Sequence, residues 1–185
     1  CQQMTPEQIF SDPSITGILV CSATDTHADL IEQAVLTSKH VFCEKPIDLS
    51  LARVQQVVAK VNASPITSML AFNRRFDSNF ALLQQRIAAG DIGDVELVSI
   101  ISKDPSPPPV DYIKVSGGLF RDMTIHDFDM ARFLLAEEVV QVTAQASCLV
   151  DPAIGLAGDV DTALVTLRTA SGKLAQISNS RRASF

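Results

Sequence analysis

Short β-branched apolar runs alternate with stretches of helical spacing through the first part of the chain. Residues 15–21 (ITGILVC), 41–43 (VFC) and 66–72 (ITSMLAF) are compact apolar runs bounded by polar residues, the pattern of buried strands. Between the first two, Leu30, Ile31, Ala34 and Val35 keep helical spacing up to about Thr37, behind an Asp25 or Thr26 cap. Leu51, Val54, Val57, Val58 and Val61 repeat that spacing behind Ser50. Ahead of them, Thr5-Pro6-Glu7-Gln8 offers an N-cap, a proline at the first helical position and a glutamine at N3, so a short helix starts there. Strand, helix, strand, helix, strand with short connections predicts right-handed βαβ units around a parallel sheet. The strands run out into residues 22–27, Glu44-Lys45-Pro46 and Asn73-Arg74-Arg75. These polar clusters therefore belong at the carboxyl edge, where ligands bind in such sheets.

After Arg75 the rhythm changes. Residues 79–89 read as a helix that stops at Gly90, 95–102 as a strand, and the proline-rich 104–110 as irregular chain. A helix through Asp122 and His126 follows, then strand-like runs at about 139–150 and 161–167. Ser171-Gly172 turns the last of these into a strand at 174–178, as a hairpin. The expected fold class is α/β then α+β. A partial Rossmann parallel sheet fills 1–73, and a partial α+β domain with a largely antiparallel sheet fills 74–185.

The 185 residues are 46% apolar and 19% charged, with a formal charge of −6 and a pI near 4.9. That balance argues against nucleic acid or an anionic membrane as partner, and Arg74-Arg75 and Arg181-Arg182 are too short to be basic patches. No apolar run approaches the roughly 18–20 residues that cross a bilayer. No basic start with an apolar core opens the chain. Cys1, Cys21, Cys43 and Cys148 are scattered, with no CxxC, and Cys21 and Cys43 lie in apolar runs. This favours a reducing, cytoplasmic setting. The chain begins at Cys1 and stops just after a strand-like run, which reads as a piece of a longer protein.

The chemistry concentrates in residues 116–129, SGGLFRDMTIHDFD. After Gly117-Gly118 come Asp122, His126 and Asp129 at spacings of four and three, one face of a helix. A carboxylate, an imidazole and a second carboxylate in a row form an acid–base array in which Asp122 orients the His126 ring for proton transfer. The same residues also read as an aspartate near a helix start with a packed histidine. A third reading is a metal site, for which a second histidine or a cysteine at suitable spacing is missing. The paired glycines favour the first, since they let backbone approach a ligand closely. Lys45 is the cationic counterpart: Pro46 biases it toward an extended conformation, and from a strand end it can donate to a substrate oxygen or act as acid or base. Its plain alternative is a surface lysine before a turn. His27 either touches a cofactor or sits in a first helical turn with a hydrogen-bonding role, and His40 reads as structural. Arg75 is an anion or amide donor, or a solvated turn arginine.

Together the 22–27 turn, Glu44-Lys45-Pro46, Asn73-Arg74-Arg75-Phe76 and, most specifically, residues 116–134 resemble the Gfo/Idh/MocA family of nicotinamide-dependent oxidoreductases. The resemblance covers nearly the whole chain and is closest to the inositol 2-dehydrogenases. It implies Lys45, Asp122 and His126 as the catalytic set in contact with substrate, and Asp129 near the polyol hydroxyls. Thr24, His27 and Glu44 would neighbour the nicotinamide and its ribose, with Arg75 at the same end of the cofactor. The implied cofactor is NAD, with NADP as the other form, and no metal is implied. The implied reaction oxidises a secondary alcohol of a cyclitol, myo-inositol first, to the ketone. A glucose-type sugar dehydrogenase is the alternative, or a non-catalytic binding protein if the chain is natively this short. The second domain would bind substrate and form a homo-oligomer, a dimer or tetramer, through the open face of its sheet. One departure stands out: no G-x-G-x-x-G occurs in the chain, nor the acidic residue expected to read the ribose. The family would place both before Cys1, making 1–73 the C-terminal part of a dinucleotide-binding domain, and would continue beyond Phe185.

Overall fold

A computed structural model describes residues 2–183. The chain divides into two compact units between Phe72 and Asn73.

The first unit opens with α1 (Pro6–Ser11), held by a full capping box. The Gln8 N–H donates to Thr5 Oγ1 at 3.3 Å and the Thr5 N–H to Gln8 Oε1 at 2.8 Å. Next come β1 (Gly17–Val20), α2 (Thr24–Leu36), β2 (His40–Cys43), α3 (Leu51–Asn62) and β3 (Ser68–Leu70). The strands form a parallel sheet in the order β1-β2-β3. Val20 pairs with Cys43 and Cys43 with Leu70, so the strands end level and their following residues leave from one edge. Val20, Ile31, Ala34, Val41, Cys43 and Val57 make the core. Helix α2 starts earlier than its spacing predicts: Ala23 is the N-cap, with no side-chain bond, and Asp25 and Thr26 lie in the first turn. Helix α3 is capped by Ser50, but only Val57 of its apolar row is buried and Leu51 is exposed. The His40 ring accepts the Thr67 N–H at 2.9 Å, a structural use.

The second unit begins with a 3-10 turn (Asn73–Phe76) and α4 (Ser78–Ala88), capped by Asp77. Then follow β4 (Leu97–Lys103), α5 (Val110–Ser116), a π-helical segment (Phe120–Thr124) and α6 (Ile125–Leu135). The chain closes with β5 (Val139–Ser147), α7 (Pro152–Leu156), β6 (Thr162–Thr169) and β7 (Leu174–Ser180). The sheet order is β4-β7-β6-β5. Strand β7 is parallel to β4 and antiparallel to β6, which is antiparallel to β5. On β6 and β7 buried and open positions alternate. Val165, Leu167 and Ile177 pack with Met130, Ala131 and Leu135 of α6, while Val142, Leu164 and Ile101 stay exposed. The hairpin closes as its turn residues predict, with Gly172 at φ 98°. Two short helices were not expected. Helix α5, of 7 residues, is too short to show a period, and Pro109 at its N-cap reads as a breaker. Helix α7 did carry a signal, an Asp151 cap followed by a proline in the first turn.

Asp161, just before β6, anchors the loop that leads to α7. It is buried and accepts the N–H groups of Leu149, Val150 and Asp151 at 2.7, 2.8 and 2.9 Å, and the Thr162 hydroxyl at 2.9 Å. Burial disfavours its charge, but these donors outweigh burial and hold its carboxyl at about 2 instead of 3.8. The folded value lies below the unfolded one, so the stabilisation is full above about pH 4 and is lost as pH falls toward 2. Asp161→Asn should therefore lower the urea-unfolding free energy by on the order of 2 kcal/mol at about pH 6. The gap to wild type should narrow at about pH 2 to 3; an equal gap at both would count against the anchor.

Candidate active site

At the carboxyl edge of the first sheet the level strand ends release Ser22 from β1 and Glu44-Lys45-Pro46 from β2. The Glu44 N–H continues the ladder to Val20 O at 2.9 Å. Glu44 is exposed, Thr24 and Lys45 are half-buried, and the Lys45-Pro46 peptide is cis. The Ser22 hydroxyl lies 2.5 Å from that of Thr26. His27, expected beside the cofactor, is engaged by the chain itself. Its ring is 1% exposed, with Nδ1 at 2.7 Å from Pro46 O and Nε2 at 3.0 Å from Ser22 O. The ring lies between the two edge turns, within hydrogen-bond distance of a carbonyl oxygen of each. Burial, with Glu44 and Cys21 nearby, pushes the Cys43 thiol up to about 12, and the thiol donates to Glu44 O at 3.2 Å.

In the second unit, Gly117 and Gly118 take φ of 85° and 76°, which only glycine adopts without strain. What comes close to Gly118 is a carboxylate of the chain itself. Asp159 accepts the Leu119 N–H at 3.1 and 3.2 Å, and a Cβ on Gly118 would collide with it. The glycine pair thus seats Asp159, where the spacing suggests a ligand.

The row of Asp122, His126 and Asp129 is divided between two windings. Asp122 lies in the π-helical segment and His126 and Asp129 in α6. Such segments leave the i→i−4 register, so the three do not form one simple helical face. Asp129 is 5% exposed and takes a bidentate grip from Arg75, Nε to Oδ2 at 2.7 Å and Nη2 to Oδ1 at 2.6 Å. The guanidinium carbon of Arg75 lies 5.0 Å from the Phe133 ring centroid. The contact orients both side chains. Among the described residues no group of three or more His, Cys, Asp or Glu is arranged to hold a metal ion.

Other residues at this site went unrecognised in the sequence. Asp127, wholly buried, accepts from Arg74 Nη1, from Ser102 Oγ at 2.9 Å and from Asn179 Nδ2 at 2.7 Å. Asn179 in turn accepts the Thr124 hydroxyl at 2.6 Å. Asp122 receives the Tyr112 hydroxyl on Oδ1 at 3.0 Å and both Nη atoms of Arg181 on Oδ2 at 3.2 Å. Arg181 also holds Asp104 Oδ2 at 2.9 Å. The only trace of Arg181 in the sequence is a basic pair at a strand end.

Residues 80–185 match the GFO/IDH/MocA C-terminal domain, and residues 2–72 match the oxidoreductase family's NAD-binding Rossmann fold. The chain belongs to the Gfo/Idh/MocA family. It is 56% identical over 185 residues to an inositol 2-dehydrogenase of Rhizobium meliloti, covering 100% of this chain and 56% of that protein. A myo-inositol 2-dehydrogenase of Thermotoga maritima is 51% identical over 180 residues, 97% of this chain and 54% of its own length. A scyllo-inositol dehydrogenase of Lactobacillus casei, solved with NAD(H) and scyllo-inositol, superposes with a TM-score of 0.83 at 29% identity, over 98% of this chain and 55% of that one. This Gfo/Idh/MocA chain thus spans about half the length of these relatives. No helix among the described residues is long and apolar enough to cross a membrane.

The first unit's edge fits one end of a nicotinamide cofactor. Hydroxyls on Ser22 and Thr24, the exposed Glu44 carboxylate and the uncapped first turn of α2 suit ribose hydroxyls and a carboxamide. In the second unit, Asp127→Ala strands the Asn179 amide and the Ser102 hydroxyl and should cost about 3 kcal/mol of unfolding free energy. Gly118→Ala should cost about 1–2 kcal/mol, from strain and the displaced Asp159. Urea titration checks both, and wild-type midpoints in either variant would contradict the assignment.

Proposed function

We propose that this chain is the nicotinamide- and substrate-facing part of an NAD-dependent dehydrogenase that oxidises a ring secondary alcohol of a cyclitol, myo-inositol first, to the ketone. The observation that carries it is the 56% identity to an inositol 2-dehydrogenase along the whole chain. A nicotinamide, when bound, supplies the hydride acceptor, and Thr24 and Glu44 are the residues that would hold its ribose end. His27 works behind them, fixing the turns that present Ser22 and Lys45.

Lys45, Asp122 and His126 form the proposed catalytic set. His126 takes the proton of the substrate hydroxyl through a ring nitrogen. Asp122 keeps that ring oriented and balances the imidazolium. Lys45 Nζ donates to the same oxygen and stabilises the alkoxide as it develops. Asp129 meets polyol hydroxyls as a carboxylate already oriented by Arg75, and Arg75 acts through it. The open face of the second sheet, with Val142, Leu164 and Ile101, is the proposed homo-oligomer contact, in a cytoplasmic setting.

The test uses the reading frame that contains this sequence, given NAD and a panel of cyclitols and sugars. NADH absorbance should rise with myo-inositol. A rise with glucose alone would move the reading to a sugar dehydrogenase, a rise only with NADP would correct the cofactor, and none at all would leave a binding protein. Lys45→Ala and His126→Ala should each lose about 10²- to 10⁴-fold in turnover with the circular dichroism unchanged. Wild-type rates in either would overturn the site.

A further inference from the structure

We infer that Arg181, with Tyr112, is a positioning residue for the Asp122 carboxylate; the inference rests on the proposed role of Asp122 as the partner of the His126 ring. Arg181 is the first residue beyond β7, and its backbone is fixed on both sides. Its N–H donates to Asp161 O at 2.8 Å, the Asp104 N–H to Ser180 O at 3.0 Å, and the Ala183 N–H to Asp104 O at 2.7 Å. The parallel pairing of β4 with β7 thus continues past the strand ends and sets where the arginine starts.

The side chain is 4% exposed. A guanidinium so deeply buried costs several kcal/mol unless carboxylates compensate it, and those that do are Asp104 and Asp122. Its Nε makes no hydrogen bond among the described residues, so its polar contacts are spent on these two aspartates. Both Nη atoms converge on Oδ2 of Asp122, and the Tyr112 hydroxyl takes Oδ1. Each carboxylate oxygen therefore has a donor of its own, one from α5 and one from the end of β7. Two donors on separate elements fix the plane of the carboxylate as well as its charge. Burial and the neighbouring Asp122 push the Tyr112 phenol up, which keeps it protonated as the donor. An aspartate that must hold an imidazole in one orientation needs its own orientation held, and this pair supplies it.

The experiment measures kcat and KM of the full reading frame for Arg181→Lys and Tyr112→Phe, each alone and on an Asp122→Asn background. Arg181→Lys keeps the charge and loses the fork. It should lower kcat about tenfold or more with the cyclitol KM within about threefold, and Tyr112→Phe should lower kcat about threefold. On the Asp122→Asn background neither should reduce the residual rate further, because the group they act through is gone. A protein whose only debt to Arg181 were structural would show the same proportional losses on both backgrounds, or loss of melting temperature without a kcat effect; either overturns the inference. If Arg181→Lys melts below the assay temperature, Tyr112→Phe on the two backgrounds decides alone. Wild-type kcat in both single variants beside a disabled Asp122→Asn overturns this inference and leaves the catalytic reading standing. A wild-type protein inert with every cyclitol and sugar overturns both together.

Discussion

The second unit depends on a carboxylate that has no contact with water. Asp127 is 0% exposed, and its charge is tolerable only because donors from separate parts of the chain converge on it. Arg74 comes from the 3-10 turn, Ser102 from β4 and Asn179 from β7. Asp127 itself stands on α6, one residue after His126. Asn179 extends the grip to Thr124, two residues before His126. The helix cannot slide or rotate against the sheet without stranding these groups, so these contacts set the place of His126. The apolar packing of Met130, Ala131 and Leu135 supplies attraction between helix and sheet; it does not by itself specify one register.

The same division of labour appears in the first unit at smaller scale. Parallel pairing brings β1 and β2 to an end together, and His27 joins the two outgoing turns through Ser22 O and Pro46 O. Lys45 leaves from one of these turns. A buried imidazole in this place bears on the turns that carry Ser22 and Lys45.

The strands and the parallel sense of the first sheet were legible because apolar runs bounded by polar residues leave little choice of element, and short βαβ connections leave little choice of strand direction. The capping box at Thr5 and the hairpin at Gly172 were legible because their chemistry is local. Non-local partners were not. Arg74 and Asp127 are separated by 53 positions and Arg181 and Asp122 by 59, and nothing in either neighbourhood announces the other. The glycine pair shows the same limit: a close approach to its backbone was expected, but the chain's own Asp159, which comes close, lies 40 positions from Leu119, whose N–H it accepts. Helical spacing placed Asp129 in the row but could not show that Arg75 holds it.

Asp122, Asp127 and Asp129 nevertheless follow one rule, since each meets an arginine from a distant segment: Arg181 (shared with Asp104), Arg74 and Arg75. The engagement differs in a way that sorts their roles. Asp129 is gripped through both oxygens at 2.6 and 2.7 Å, and Asp127 is enclosed on every side. Asp122 is 14% exposed, and its arginine reaches it at 3.2 Å on one oxygen only. A carboxylate whose donors are short and complete has little capacity left to respond when a neighbour changes charge. One that its arginine holds at longer range can still strengthen its interaction with an imidazole as that ring becomes positive. By that measure Asp122 is the carboxylate of the three best suited to the proposed proton transfer, while Asp127 and Asp129, each gripped by its arginine, fix the helix that carries His126.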